Sequence, residues 1–102
     1  MNRKELISSV KATVMSIDPL ARVILFGSRA RGDNNNFSDW DFLVLVSQEA
    51  NERLKSQIRD SLIDIELEAG QVISTVIYSQ DQWPNYQITP LFQNIEKEGL
   101  EV

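Results

Sequence analysis

Between residues 26 and 41 the chain sets two kinds of chemical group at short spacing: Phe26-Gly27-Ser28-Arg29-Ala30-Arg31-Gly32-Asp33, and then Ser38-Asp39-Trp40-Asp41. A glycine at the end of a strand allows a tight turn and close approach of a ligand to the backbone. If a short helix follows, its first N–H groups form an anion site, to which the Ser28 hydroxyl adds one donor. Arg29 and Arg31 put positive charge beside that turn, and a guanidinium matches phosphate oxygens with a rigid fork. Asp39 and Asp41 lie two apart where a strand begins. Strand alternation points both to one face, with Cα atoms ~6.5–7 Å apart. Their oxygens can therefore converge on one divalent cation or on a pair. A phosphate cradle on one strand end and a carboxylate pair on another are the two parts that phosphoryl or nucleotidyl transfer requires.

Each part alone has an ordinary reading. Gly-Ser after a strand is commonly a turn, Arg-Ala-Arg-Gly a solvated loop, and Asp-x-Asp a cap or edge polarity. Composition narrows the chemistry further. Among 102 residues there is no cysteine and no histidine, which removes thiol nucleophiles, Ser-His triads and the usual zinc ligand sets. A cation held here is a hard, oxygen-preferring one such as Mg²⁺ or Mn²⁺. The net charge is −5, with residues 1–38 carrying +3 and residues 39–102 carrying −8. An acidic chain argues against broad, non-specific DNA binding, and the change of sign falls inside the motif. The N-terminus does not read as a signal peptide, and no apolar run is long enough to span a bilayer. The expectation is a cytoplasmic chain with no membrane association, folded as one domain over residues 1–102.

The elements that must position these groups follow from pattern. Asn2 with Glu5 three residues on has the form of a helix N-cap, and Leu6, Val10, Val14 and Ile17 recur at helical spacing until Asp18-Pro19. Arg22–Phe26 reads as a short buried strand and Trp40–Val46 as a central one, with a polar loop from Ser28 to Ser38 between them. Residues 49–69 read as a helix with Leu54, Ile58, Leu62 and Ile65 on one face and Gly70 as its stop. Ile63–Glu68 also alternates as a half-buried strand would, but the helical stripe begins a dozen residues earlier. Val72–Tyr78 is a third strand, a short helical piece surrounds Trp83, and Thr89-Pro90 starts a last helix that Gly99 ends. The fold class expected is mixed α/β, a small mixed sheet with helices packed on it. Trp40 and Phe42, on the face opposite Asp39 and Asp41, are expected in the core. Trp83 and Tyr86 are read as packing of a lid segment, with base stacking or contact with a partner the other uses open to them.

Gly27-Ser28, ten residues, then Asp39-x-Asp41, with the flanking strands and the Arg-Ala-Arg-Gly turn, resembles the minimal nucleotidyltransferases of the DNA polymerase beta superfamily. Thr89–Gly99 is similar to the closing helix of short bacterial members. The resemblance implies a nucleotidyltransferase fold in which Gly27 and Ser28 face the triphosphate of ATP or another nucleoside triphosphate. Arg29 or Arg31 would offset phosphate charge, and Asp39 and Asp41 would be the catalytic, metal-holding pair. It also implies a partner, since short members are often paired with a helical HEPN-domain toxin that they counter as antitoxins, in some cases by transferring AMP onto it. One departure stands out. Active members usually carry a third carboxylate on a neighbouring strand, and Val72–Tyr78 contains no acid. Ser74, Val76 or Tyr78 stands where it is expected, and a hydroxyl is neither a good metal ligand nor a general base near neutral pH. Glu66 and Glu68 could substitute only if Ile63–Glu68 were a strand beside the metal strand. Two readings result: AMP transfer to a macromolecular hydroxyl, or a catalytically impaired module that neutralises its partner by forming a complex.

Overall fold

The computed structural model describes residues 1–102. The first helix, α1 (Arg3–Ile17), starts from a reciprocal cap in which the Asn2 side chain accepts the Glu5 N–H and the Glu5 carboxylate accepts the Asn2 N–H. Its apolar stripe is fully buried at Leu6, Val10 and Val14. Strand β1 (Arg22–Phe26) leads into a single helical turn, α2 (Ser28–Arg31), and β2 (Trp40–Val46) follows the loop. Helix α3 (Glu52–Ala69) starts at an Asn51 cap, a few residues later than its pattern suggests, and closes at Gly70 in the left-handed conformation. The alternating stretch Ile63–Glu68 is therefore helical. Strand β3 (Ile73–Ser79), a 3-10 turn (Trp83–Tyr86), α4 (Pro90–Glu98) and the two-residue β4 (Leu100–Glu101) complete the chain.

The sheet order is β3-β2-β1-β4. Strand β1 runs antiparallel to both β2 and β4, whereas β2 and β3 are parallel and are connected through α3. This is the mixed sheet that the elements implied. Strand β2 lies between two others and is covered on both faces, which is why it is almost continuously apolar after Asp41. On one face Val23, Leu25, Trp40, Phe42, Val44 and Val46 pack under α1 and α3. On the other, Ile24, Leu43 and Leu45 pack under Trp83 and Ile95. Phe42 is fully buried, and its truncation to alanine belongs in the range of about 3–5 kcal/mol found for core aromatics. No helix is long and apolar enough to cross a membrane.

The joint between α1 and β1 is tied to the far end of β2 by one buried carboxylate. Asp18, 3% exposed, accepts the Ser47 N–H and hydroxyl, each at 2.7 Å, and the Leu20 N–H at 3.1 Å. Burial alone would raise its pKa, but the bonds from Ser47 and Leu20 outweigh burial and hold it below the ordinary carboxylate value. A lowered pKa stabilises the fold fully above the unfolded-chain value of about 3.9, and the contribution is lost as pH falls through the folded value. Asp18→Ala is expected to cost about 2–3 kcal/mol at pH 7. Urea denaturation at a series of pH values should show its gap from wild type closing below about pH 4.

Candidate functional site

Strand β1 ends where β2 begins, because Phe26 and Asp41 are directly opposed in their antiparallel register. The next residue, Gly27, has φ +75, and a Cβ there would run into the Asp41 carboxylate. Both the dihedral and the clearance require glycine. Ser28 then opens α2, whose hydrogen bonds run from the Ala30 and Arg31 N–H groups to the Gly27 carbonyl at 3.0 Å. The Ser28 and Arg29 N–H groups lie ahead of that ladder, as at any helix start. Asp41 is half-buried on the sheet face that α4 covers, Asp39 just before the strand is exposed, and Trp40 and Phe42 point into the opposite core. The Asp41 carboxyl is pushed above its ordinary pKa, first by burial and then by the negative field of Asp39. Arg31 pulls it back, and Glu98 adds to the rise.

The two arginines take different places. Arg31 stays exposed beside the turn, its Nε donating to Asp33 at 3.0 Å and its Nη1 to Glu98 at 2.9 Å. These carboxylates raise its pKa above the usual guanidinium value. Arg29 is 9% exposed. Its guanidinium donates to the Ser38 carbonyl and to Gln71 Oε1, and it lies 4.5 Å over the Trp40 ring. The structure thus places Arg29 away from the turn and leaves Arg31 beside it. Two residues apart on a helix means about 200° of rotation, so only one of the pair can face the turn. Arg29 instead braces the loop that presents Asp39.

The parallel register of β2 and β3 sets Ser74 beside Asp41, Val76 beside Leu43 and Tyr78 beside Leu45. Of the three candidates for the missing carboxylate position, Ser74 is the one next to the aspartate. Glu66 is not a substitute: it sits on α3, across the sheet from the site, and accepts the Ile73 N–H at 2.8 Å. Glu68 is exposed on the same helix. Trp83 is buried against Tyr78 and Phe92, so the packing reading holds for it. No three acidic side chains are grouped closely enough to hold a metal ion between them. Two carboxylates nevertheless fit Mg²⁺, which is commonly held by one or two of them together with substrate phosphates and water. The residue that sequence reasoning missed is Glu98, at the end of α4, whose Oε1 accepts the Gly27 N–H at 3.1 Å. Its only local signal is the adjoining Gly99, which ends a helix but does not say where that helix docks.

The Nucleotidyltransferase domain family model matches residues 7–100, which include every group described above. The chain belongs to this family. A Methanocaldococcus jannaschii protein named "Putative protein adenylyltransferase" is 35% identical over 100 residues, covering 96% of each chain. Two solved structures share the fold. A toxin-antitoxin with AMP-PNP aligns with 92% of this chain and 69% of its own, at TM-score 0.66 and 15% identity. A mutant of the toxin-antitoxin MntA-HpeT aligns with all of this chain and 72% of its own, at TM-score 0.63 and 17% identity.

In this nucleotidyltransferase domain the two arginines separate in mutagenesis. Arg29→Met should lower stability by about 1.5–3 kcal/mol through its lost buried hydrogen bonds. Arg31→Met should leave the melting temperature nearly unchanged, because its ion pairs with Asp33 and Glu98 are made by a half-exposed side chain. Asp41 behaves oppositely to Asp18. A carboxyl with a raised pKa favours the fold at low pH and loses that contribution as pH rises through its folded value. Asp41→Asn is therefore expected to raise Tm at pH 7 by roughly 1–3 °C in thermal denaturation.

Proposed function

We propose that this chain binds a nucleoside triphosphate, ATP in the first instance, with Mg²⁺ (or Mn²⁺) held by Asp39 and Asp41, and acts as the antitoxin of a toxin–antitoxin pair chiefly by forming a complex with its partner. The observation that carries this reading is Ser74 in register with Asp41. Transfer of a nucleoside monophosphate to a hydroxyl forms a new P–O bond, breaks the bond to pyrophosphate, and needs a group to take the hydroxyl proton. Serine cannot take it near neutral pH. The bound cation would neutralise triphosphate charge. The chain's own residues supply the rest: the Gly27-Ser28 turn approaches the phosphates, Arg31 offers a guanidinium, and Asp39 and Asp41 offer oxygens.

The antitoxin reading draws on the two toxin–antitoxin structures that share this fold, and a helical HEPN-domain protein is the partner class we propose. An apolar surface suits such a partner. Phe37, 94% exposed, lines one groove with exposed Leu67 and Val72, next to Ser38 and close to the site. Exposed apolar clusters of this kind mark interaction surfaces. A second reading, transfer of AMP onto the partner, is favoured by the name of the 35% identical relative and by the intact Gly27-Ser28 and Asp39-x-Asp41 elements. In that case the acceptor or the partner supplies the base.

Co-expression with the partner, followed by labelled ATP, separates the two. Under the complex-formation reading Asp39→Asn with Asp41→Asn abolishes Mg-ATP binding yet leaves the complex and neutralisation intact. Ser74→Asp, which restores an acid beside Asp41, is expected to raise transfer at least tenfold from a low baseline. Rapid transfer by wild type, lost together with neutralisation in the double variant, would instead establish the enzyme.

A further inference from the structure

Two of the donors that the turn offers to a phosphate are already engaged. Glu98 reaches from the end of α4 to β1, where its Oε1 accepts the Gly27 N–H at 3.1 Å and its Oε2 accepts Arg31 Nη1 at 2.9 Å. One is a backbone donor at the turn, and the other is the accessible guanidinium beside it. The backbone that carries Glu98 is pinned. A Cβ on Gly99 would lie 2.5 Å from the Ile95 carbonyl oxygen and 2.8 Å from Ile24 Cγ2. Leu100 and Glu101 then pair with Leu25 and Ile24 of β1. The freedom left at this position is rotation of the side chain. Glu98 is also more than a counter-ion, because Arg31 is already paired with Asp33 at 3.0 Å. A second acid on one cation adds negative field at Asp41.

We infer that the Glu98 carboxylate is a built-in anion in the phosphate subsite, one that a ligand must displace, so that the subsite selects metal-bound polyphosphates over simple anions. The inference rests on the nucleotide reading above and adds the residue that sets the threshold. The Glu98–Arg31 pair is open to solvent on its Arg31 side, with the Glu98 side chain 18% exposed, and Arg31 divides its charge between Glu98 and Asp33. A triphosphate replaces this pair with several charge-assisted acceptors, and its cation screens Asp39 and Asp41. Inorganic phosphate brings fewer oxygens and no cation, and it meets those carboxylates unscreened. Until a ligand arrives, Glu98 holds the Gly27 turn and Arg31 in a paired geometry.

Titration calorimetry with Mg-ATP and with inorganic phosphate, on wild type, Glu98→Gln and Glu98→Asp, tests this. Glutamine keeps an acceptor for the Gly27 N–H and removes the charge opposing phosphate. Aspartate keeps the charge on a side chain one methylene shorter. Glu98→Gln should bind Mg-ATP roughly threefold to tenfold more tightly than wild type and bind phosphate measurably at millimolar concentration, with Glu98→Asp between them. Equal or weaker Mg-ATP binding in both variants, with wild-type binding intact, overturns displacement and makes Glu98 a positioning residue for Arg31. Absence of Mg-ATP binding in all three proteins, each with a native circular dichroism spectrum, refutes the nucleotide reading and this inference with it.

Discussion

The Asp41 carboxylate rests against the bare Cα of Gly27, and the arrangement of the site depends on that contact. It exists because Phe26 and Asp41 face each other across β1 and β2, which brings the end of one strand to the beginning of the other. A side chain at residue 27 would occupy the space the carboxylate fills. The Gly27 turn and the Asp41 carboxylate are therefore placed together by backbone pairing, with no dependence on flexible side chains. A shift of one residue in that register would carry Asp41 to the α1–α3 core and Phe42 to the face that α4 covers. Such a shift is resisted because it would bury a carboxylate without a partner and mismatch the packing on both faces of β2.

Electrostatically the site is set against itself. Asp39, Asp41, Asp33 and Glu98 gather near one turn, and Arg31 is the accessible cation among them. Arg29 does not relieve the imbalance, because its guanidinium is spent on Ser38, Gln71 and the Trp40 face. A surplus of negative charge around a half-buried carboxylate destabilises the fold locally, and a divalent cation is the kind of ligand that relieves it. Under the proposed function, that field is the reason nucleotide and cation would bind together. Ser74 marks the boundary of the arrangement: the Gly27 turn, Arg31 and Asp41 converge, and no acid on β3 stands beside Asp41 to remove a proton.

Much of this was legible in the chain. Strands β1 and β2 begin and end where their apolar runs do, because a buried strand must be apolar and the polar residues on either side cannot follow it inward. Helix α1 starts at Asn2-x-x-Glu5 because the cap is a local device. The Ile63–Glu68 alternation is settled by Gly70, which takes the left-handed stop that a helix uses. Other features were not legible. Strand β4 is two residues long and carries no pattern of its own; it is a strand only because β1 lies beside it. Of Ser74, Val76 and Tyr78, the neighbour of Asp41 was undecided until the β2–β3 register was known.

Residue types and spacing by themselves determined the chemistry open to this protein. Without histidine or cysteine it is limited to carboxylates, amines, guanidinium groups, hydroxyls and backbone, and Gly27-Ser28, ten residues, then Asp39-x-Asp41 concentrates three of these kinds in one stretch. That follows because side-chain chemistry and strand alternation are local properties. Tertiary structure decided which groups meet. It turned Arg29 into the core and left Arg31 at the turn, since one helical turn cannot face both ways. It also brought Glu98 across 71 residues to the Gly27 N–H, because α4 packs on the sheet and Gly99 lets the chain pass against β1. Long-range encounters of this kind are written in packing and register, which no window of sequence contains.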